Sequence, residues 1–113
     1  MTNDFSIRIK FWIEKKGHSI LGPGRLAILE AIDETHSLTA ATKKCAISFR
    51  KGWKLINEIN KQLEQPVVLS ERGGKGGGGK TVLTEFGKKL VLQYRRIEQK
   101  LNDFIKDPSL WDL

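Results

Sequence analysis

The feature that most constrains this chain is a pair of helix starts separated by one short turn. Thr39 precedes Ala40-Ala41-Thr42-Lys43-Lys44-Cys45 and is suited to cap a short helix running through Cys45, because a hydroxyl oxygen accepts from the orphan N–H groups of a first turn. Ala46-Ile47 makes a tight turn, and Ser48 is placed to cap a longer helix from Phe49 to about Gln65, ended by Pro66. Two capped helices so closely joined predict a helix-turn-helix. The small side chains of Ala40 and Ala41 let the first helix lie near the second.

On a wheel of about 100° per residue the longer helix divides into two sides. Phe49, Gly52, Trp53, Ile56, Ile59 and Leu63 form an apolar stripe, which assigns Trp53 to the core. Arg50, Lys51, Lys54, Asn57, Glu58 and Lys61 form a mostly basic side, densest in the first two turns. A recognition helix carries its contacts there, because its N-terminal end enters the major groove. Arg50 is the candidate for a two-pronged hydrogen bond to guanine. Lys51, Lys54 and Lys61 are expected to neutralise phosphates, which position a protein without specifying a sequence. The expected duplex-facing set also takes in Thr39 and Lys43 from the first helix, with Ser48 and Phe49 at the start of the second.

Beyond Pro66, Val67-Val68-Leu69-Ser70-Glu71-Arg72 and Thr81-Val82-Leu83 read as short strands. Between them, residues 73–80 hold six glycines and two lysines. Short strands joined by a flexible basic loop behind a recognition helix make a wing, with Arg72, Lys75 and Lys80 supplying charge to a neighbouring phosphate backbone. Thr84 is placed to cap a last helix from Glu85 to about Lys106, with Phe86, Leu90, Tyr94, Ile97, Leu101 and Phe104-Ile105 at helical spacing. A helix of about 20 residues extends ~30 Å. That is long for one small domain, so part of its stripe is expected to meet a second copy of the chain. Upstream, the alternation from Phe5 to Ile13 predicts a half-buried strand, with Lys15-Lys16-Gly17-His18 as a turn and Ser19-Ile20-Leu21 as its return. Gly22-Pro23-Gly24 breaks the chain, and a helix follows from about Arg25 to Glu34 on Leu26, Leu29, Ala31 and Ile32.

The expected architecture is α+β, mainly α: one winged helix-turn-helix domain over residues 1–113, with an N-terminal hairpin (1–24), the helix-turn-helix and wing (25–84) and a long C-terminal helix (85–107). Charge agrees with this layout. The formal net charge is +7, and residues 37–84 hold nine Lys/Arg against three Asp/Glu, while both flanks are nearly neutral. A basic centre in a neutral frame is the footprint of a polyanion-binding protein. A solvated basic face is the plainer reading of the same charge. The lone Cys45 forms no internal disulfide and fits a reducing, cytoplasmic compartment. Neither a signal peptide nor a run of eighteen apolar residues is visible, so no membrane partner is expected.

Gly74-Lys75-Gly76-Gly77-Gly78-Gly79-Lys80-Thr81 also satisfies the phosphate-loop pattern G-x-x-x-x-G-K-[ST]. That chemistry needs a helix to begin at the Gly-Lys-Thr, so that backbone N–H groups and the helix dipole face the phosphates. Here the following residues read as strand, and nucleotide hydrolysis ranks low. A basic module for RNA or an acidic protein is the other alternative. His18 and His36 sit in turns without a ligand partner, and Cys45 reads as a small core residue. No nucleophile–base or carboxylate pair is placed for catalysis, so neither an enzyme nor a cofactor is expected.

The residues that carry a resemblance are Ser37-Leu38-Thr39-Ala40-Ala41, Ile47-Ser48-Phe49-Arg50, Trp53, Asn57-Glu58-Ile59-Asn60, the run Glu71 to Gly79, and Leu83-Thr84-Glu85-Phe86-Gly87. Together they make the stretch from His36 to Leu101 resemble the N-terminal DNA-binding domain of ModE-type, molybdate-dependent regulators, and more distantly LysR-type helix-turn-helix domains. The resemblance implies a homodimeric winged helix on partly symmetric double-stranded DNA, carried to Ser48, Arg50, Lys51, Lys54 and the wing. Longer members of that family continue into molybdate- or tungstate-binding domains. No oxyanion site is assigned to the residues of this chain, and a small-molecule effector is left unspecified.

Overall fold

A computed structural model describes residues 4–71 and 79–112. Strands β1 (Ile13–Lys15) and β2 (His18–Leu21) form an antiparallel hairpin. Helices α1 (Pro23–Thr35), α2 (Leu38–Lys44) and α3 (Phe49–Gln62) follow. A second antiparallel pair, β3 (Val68–Glu71) and β4 (Lys80–Leu83), leads into the long α4 (Glu85–Ile105) and a short 3₁₀ turn at Pro108–Leu110. This is the expected winged helix with an N-terminal hairpin and a long last helix.

The core is built around α1. Leu26, Ile28, Leu29, Ala31 and Ile32 are buried, joined by Ile20 and Leu21 from β2, Leu38 and Ala41 from α2, and Ile59 from α3. Pro23 starts α1 because its fixed φ suits a first helical position. His36 ends it in the left-handed region at φ 55°, its N–H returning to the Ile32 carbonyl. The carbonyl of His36 then accepts from Thr81 N–H at 3.0 Å, which docks β4 onto the α1–α2 turn. At the far end of the wing, Thr84 caps α4 through Gly87 N–H, and Gly87 sits so close to Val67, the residue before β3, that a β-carbon there would lie 2.3 Å from the Val67 carbonyl oxygen. Strand pairs and helices are thereby tied into one body.

Helix α1 begins at Pro23, inside the expected Gly22-Pro23-Gly24 break and two residues before Arg25, because proline suits a first helical position. Three further boundaries differ from the sequence expectation. The α2 cap is Ser37, whose Oγ accepts from Ala40 N–H at 3.1 Å, and Thr39 lies inside the first turn. Ser37 has the extended backbone a cap requires, and starting the helix there carries Leu38 into the core. Helix α3 ends at Gln62 rather than near Gln65: Leu63 is already extended (φ −115°, ψ 156°) and turns inward against the core. The third concerns the N-terminus, where only Ile13–Lys15 pairs as strand because β2 offers an edge four residues long. The preceding segment instead reaches α4. Tyr94 Oη donates to the Phe11 carbonyl at 2.9 Å, the Phe11 and Tyr94 rings stack with centroids 4.2 Å apart, and Phe5 stacks on Trp111 at 5.5 Å. Alternation predicted a strand over Phe5–Ile13, and residues 5–12 form none, since the contacts of Phe11 and Phe5 are with α4 and the C-terminal segment.

Candidate nucleic-acid interface

The α2–α3 turn is closed by local bonds. Ala46 takes a positive φ of 56°, Ala46 N–H donates to Lys43 O at 3.1 Å and Ile47 N–H to Thr42 O at 3.0 Å. Ser48 follows in extended conformation and its Oγ accepts from Lys51 N–H at 3.1 Å, capping α3 as its sequence position predicts. The cap fixes the first two turns of α3, where the basic residues cluster.

Basic residues fall into two groups. Arg25 is pinned: its Nη1 donates to Ile20 O at 2.8 Å and Gln62 Oε1 at 2.7 Å, and Nη2 to Glu58 Oε2 at 3.2 Å. Arg95 is clamped by Glu30 and Glu98, hydrogen bonds that raise its pKa above the ordinary guanidinium value, and Lys44 pairs with Glu34. The charged ends of Lys43, Arg50, Lys51, Lys54, Lys61 and Lys80, by contrast, are exposed and have no hydrogen-bond or ion-pair partner among the described residues. Acids thus pin the structural cations, while the basic ends on α3 are open to a ligand.

Glu58 and Asn60 have structural work that the helical wheel does not reveal. Glu58 holds Arg25, as described. Asn60 Oδ1 accepts from Val67 N–H at 2.8 Å, and its Nδ2 donates to Val68 O at 2.9 Å. Its amide therefore stands in for a strand partner and sets the start of the wing relative to α3. Asn60 was legible only as part of a family resemblance, since an amide stapling a distant strand leaves no periodic trace.

Phe49 and Trp53 correct the wheel. Both lie outside the core, at 52% and 54% exposure, while Gly52, Ile56, Ile59 and Leu63 make the inward contacts. The wheel gives the mean apolar direction, but the width of the buried stripe is set by the neighbouring helix. Here α2 crosses over Gly52 and leaves positions 49 and 53 on the wing side. They line an open cleft of about 360 Å³ with Ser37 and Thr39 of α2 and with Ser70 and Lys80 of the wing strands. Thr39, Phe49 and Lys80 thus meet at one place, next to the basic row Arg50–Lys54.

The wing stem pairs Val68 with Leu83 and Glu71 with Lys80 in register. Lys80 opens β4 and is exposed, without an ion pair to Glu71. The expected contacts at Arg72 and Lys75 lie outside the described residues. The phosphate-loop pattern lacks its structural context: Lys80 and Thr81 are in β4, and the next helix begins only at Glu85. Among the described residues no His, Cys, Asp or Glu cluster could hold a metal ion, and no helix is long and apolar enough to cross a membrane.

A capped helix-turn-helix, a two-stranded wing behind it and an open basic row on the second helix define a winged helix-turn-helix module. By sequence, the chain is homologous to ModE-type regulators over the part it shares with them. It is 40% identical over 78% of its length to a transcriptional regulator ModE of Yersinia pestis, and 38% identical over 75% to the DNA-binding transcriptional dual regulator ModE of Escherichia coli K12. It is also 41% identical over 69% of its length to the molybdenum-pterin-binding protein MopB of Rhodobacter capsulatus. These alignments span about a third of the length of each relative, between 28% and 34%. No family model matches the chain.

Proposed function

We propose that this chain is the duplex-DNA-binding domain of a transcriptional regulator, acting as a homodimer and not as an enzyme. The observation that carries the reading is the row Arg50, Lys51 and Lys54 on the first two turns of a capped helix, open to a ligand beside an attached wing. Helix α3 enters the major groove by its N-terminal end, and Arg50 reads a guanine edge. Lys43, Lys51 and Lys54 neutralise phosphates, and the wing, with Arg72, Lys75 and Lys80, grips the adjacent backbone. The names of the relatives support transcriptional regulation in the same terms. The homodimer reading is supported by α4, which leaves Leu92 (54%) and Phe104 (63%) exposed along a helix of 21 residues; apolar side chains of that size favour burial against a second copy.

The test is fluorescence anisotropy on selected and random duplexes across a salt series, with sedimentation of the same samples. The expected result is a selected duplex that stays bound at physiological salt and loses its advantage in Arg50→Ala. Equal binding of selected and random duplexes, or a preference for single strands or RNA, rejects duplex recognition. A monomer with and without DNA rejects the dimer.

A further inference from the structure

An aromatic ridge runs beside the basic one. Phe49 and Trp53 stand four residues apart on α3, so they share one face, and Arg50 and Lys54 form the adjoining row one residue on. Both rings are more than half exposed although both are large and apolar. The Trp53 indole N–H has no hydrogen-bond partner among the described residues, and a covered indole ordinarily finds one. Around the rings lie open basic groups at Arg50, Lys54 and Lys80, with Glu71 the acid on the cleft wall. A partner for this surface must therefore be polyanionic, yet present an apolar group beside a hydrogen-bond acceptor.

We infer that Phe49 and Trp53 read thymine, the rings covering a C5-methyl group and the Trp53 N–H facing O4. Thymine alone among the bases puts a methyl group and an acceptor next to each other on the major-groove edge. The rings complement that pair: two apolar faces, and one donor. Their position explains why the ridge flanks the basic row instead of joining the core. Arg50 and Lys54 anchor the helix on the polyanion, and the neighbouring rings are held against the groove wall where methyl groups project. This assignment rests on the duplex-binding reading and adds a sequence preference to it.

The experiment uses the whole chain and a duplex selected from a random-sequence library, in which each thymine is replaced in turn by deoxyuridine. That change removes one methyl group and keeps every hydrogen-bonding group. Wild type is expected to lose about fourfold in affinity at one or two positions per half-site, the amount that follows from losing the burial of one methyl group. Trp53→Ala and Phe49→Ala are expected to bind the deoxyuridine and thymine duplexes alike at those positions. Trp53→Phe, which keeps a ring and removes the N–H, is expected to retain the difference at reduced affinity. Because both rings lie outside the core, circular dichroism of the variants should match wild type. If a duplex is selected but wild type binds every deoxyuridine version equally well, the thymine assignment is overturned and duplex recognition stands. If no duplex outcompetes random DNA, duplex recognition falls, and the assignment with it.

Discussion

Gly52 of α3 lies so close to Thr42 of α2 that a β-carbon on it would sit 2.2 Å from Thr42 Cγ2. The two helices approach closely there, one glycine against one β-branched side chain. Thr42 is 2% exposed, and its hydroxyl donates to Leu38 O at 2.9 Å and Thr39 O at 3.0 Å, so the methyl group has little room to rotate away. Alanine favours a helix over glycine by ~1 kcal/mol, but overpacking a tight contact costs about 1–3 kcal/mol. Gly52→Ala should therefore lower stability by ~1 kcal/mol in urea unfolding. Adding Thr42→Ser, which removes Cγ2 and keeps the hydroxyl, should restore it; an unchanged midpoint for Gly52→Ala alone would show that the helices slide freely.

Asn60 gives the second expectation. Val67 is fully buried and its N–H has the Asn60 amide as its partner. Asn60→Ala leaves that N–H and the Val68 carbonyl without their side-chain partner, an expected loss of about 2–3 kcal/mol. Asn60→Asp should fall well short of wild type, since a carboxylate accepts from Val67 but repels the Val68 carbonyl. Chemical denaturation of the three proteins checks this, and hydrogen exchange at Val67 should quicken in both variants.

Tyr94 ties stability to alkaline pH. Burial, with Glu98 nearby, raises its phenol above the ordinary value of 10.0. A folded-state pKa above the unfolded one gives a contribution that is fully present below the unfolded value and is lost as pH climbs through the folded value. Stability should therefore decline above pH ~10 from this group, and Tyr94→Phe should remove that component. The same substitution deletes the bond to the Phe11 carbonyl, at a cost near 1 kcal/mol at neutral pH, and should speed exchange in the N-terminal segment. Wild type and Tyr94→Phe losing stability in parallel above that pH would contradict the assignment.

Lys80 separates position from specificity. As a single phosphate contact from the wing, Lys80→Ala should weaken selected and random duplexes by the same factor. It should also make the log–log salt slope shallower by about 0.9 per subunit. A loss confined to one sequence would instead make Lys80 a base-reading residue.

Much of this was readable along the chain because it depends on neighbours. Ser48 and Thr84 cap helices through residues three positions away, the glycine-rich break separates two strands of matching register, and the basic excess is a property of composition. The misreadings concern distance. Trp53 looks inward on a wheel that has no knowledge of where α2 crosses, and Thr39 looks like a cap until Ser37, two residues earlier, takes the extended conformation.

By itself, the sequence determined which segments become helices, where all four helices begin to within two residues, that two strands flank the glycine-rich run, and which stretch carries positive charge, because capping, periodicity and charge act over a turn or less. Only the tertiary structure decided that Gly52 and not Trp53 faces α2, that Asn60 holds the wing, and that Tyr94 holds a carbonyl 83 residues away. Those outcomes depend on close contact between segments remote in the chain, and close packing admits or rejects a single methyl group in a way that no local pattern records.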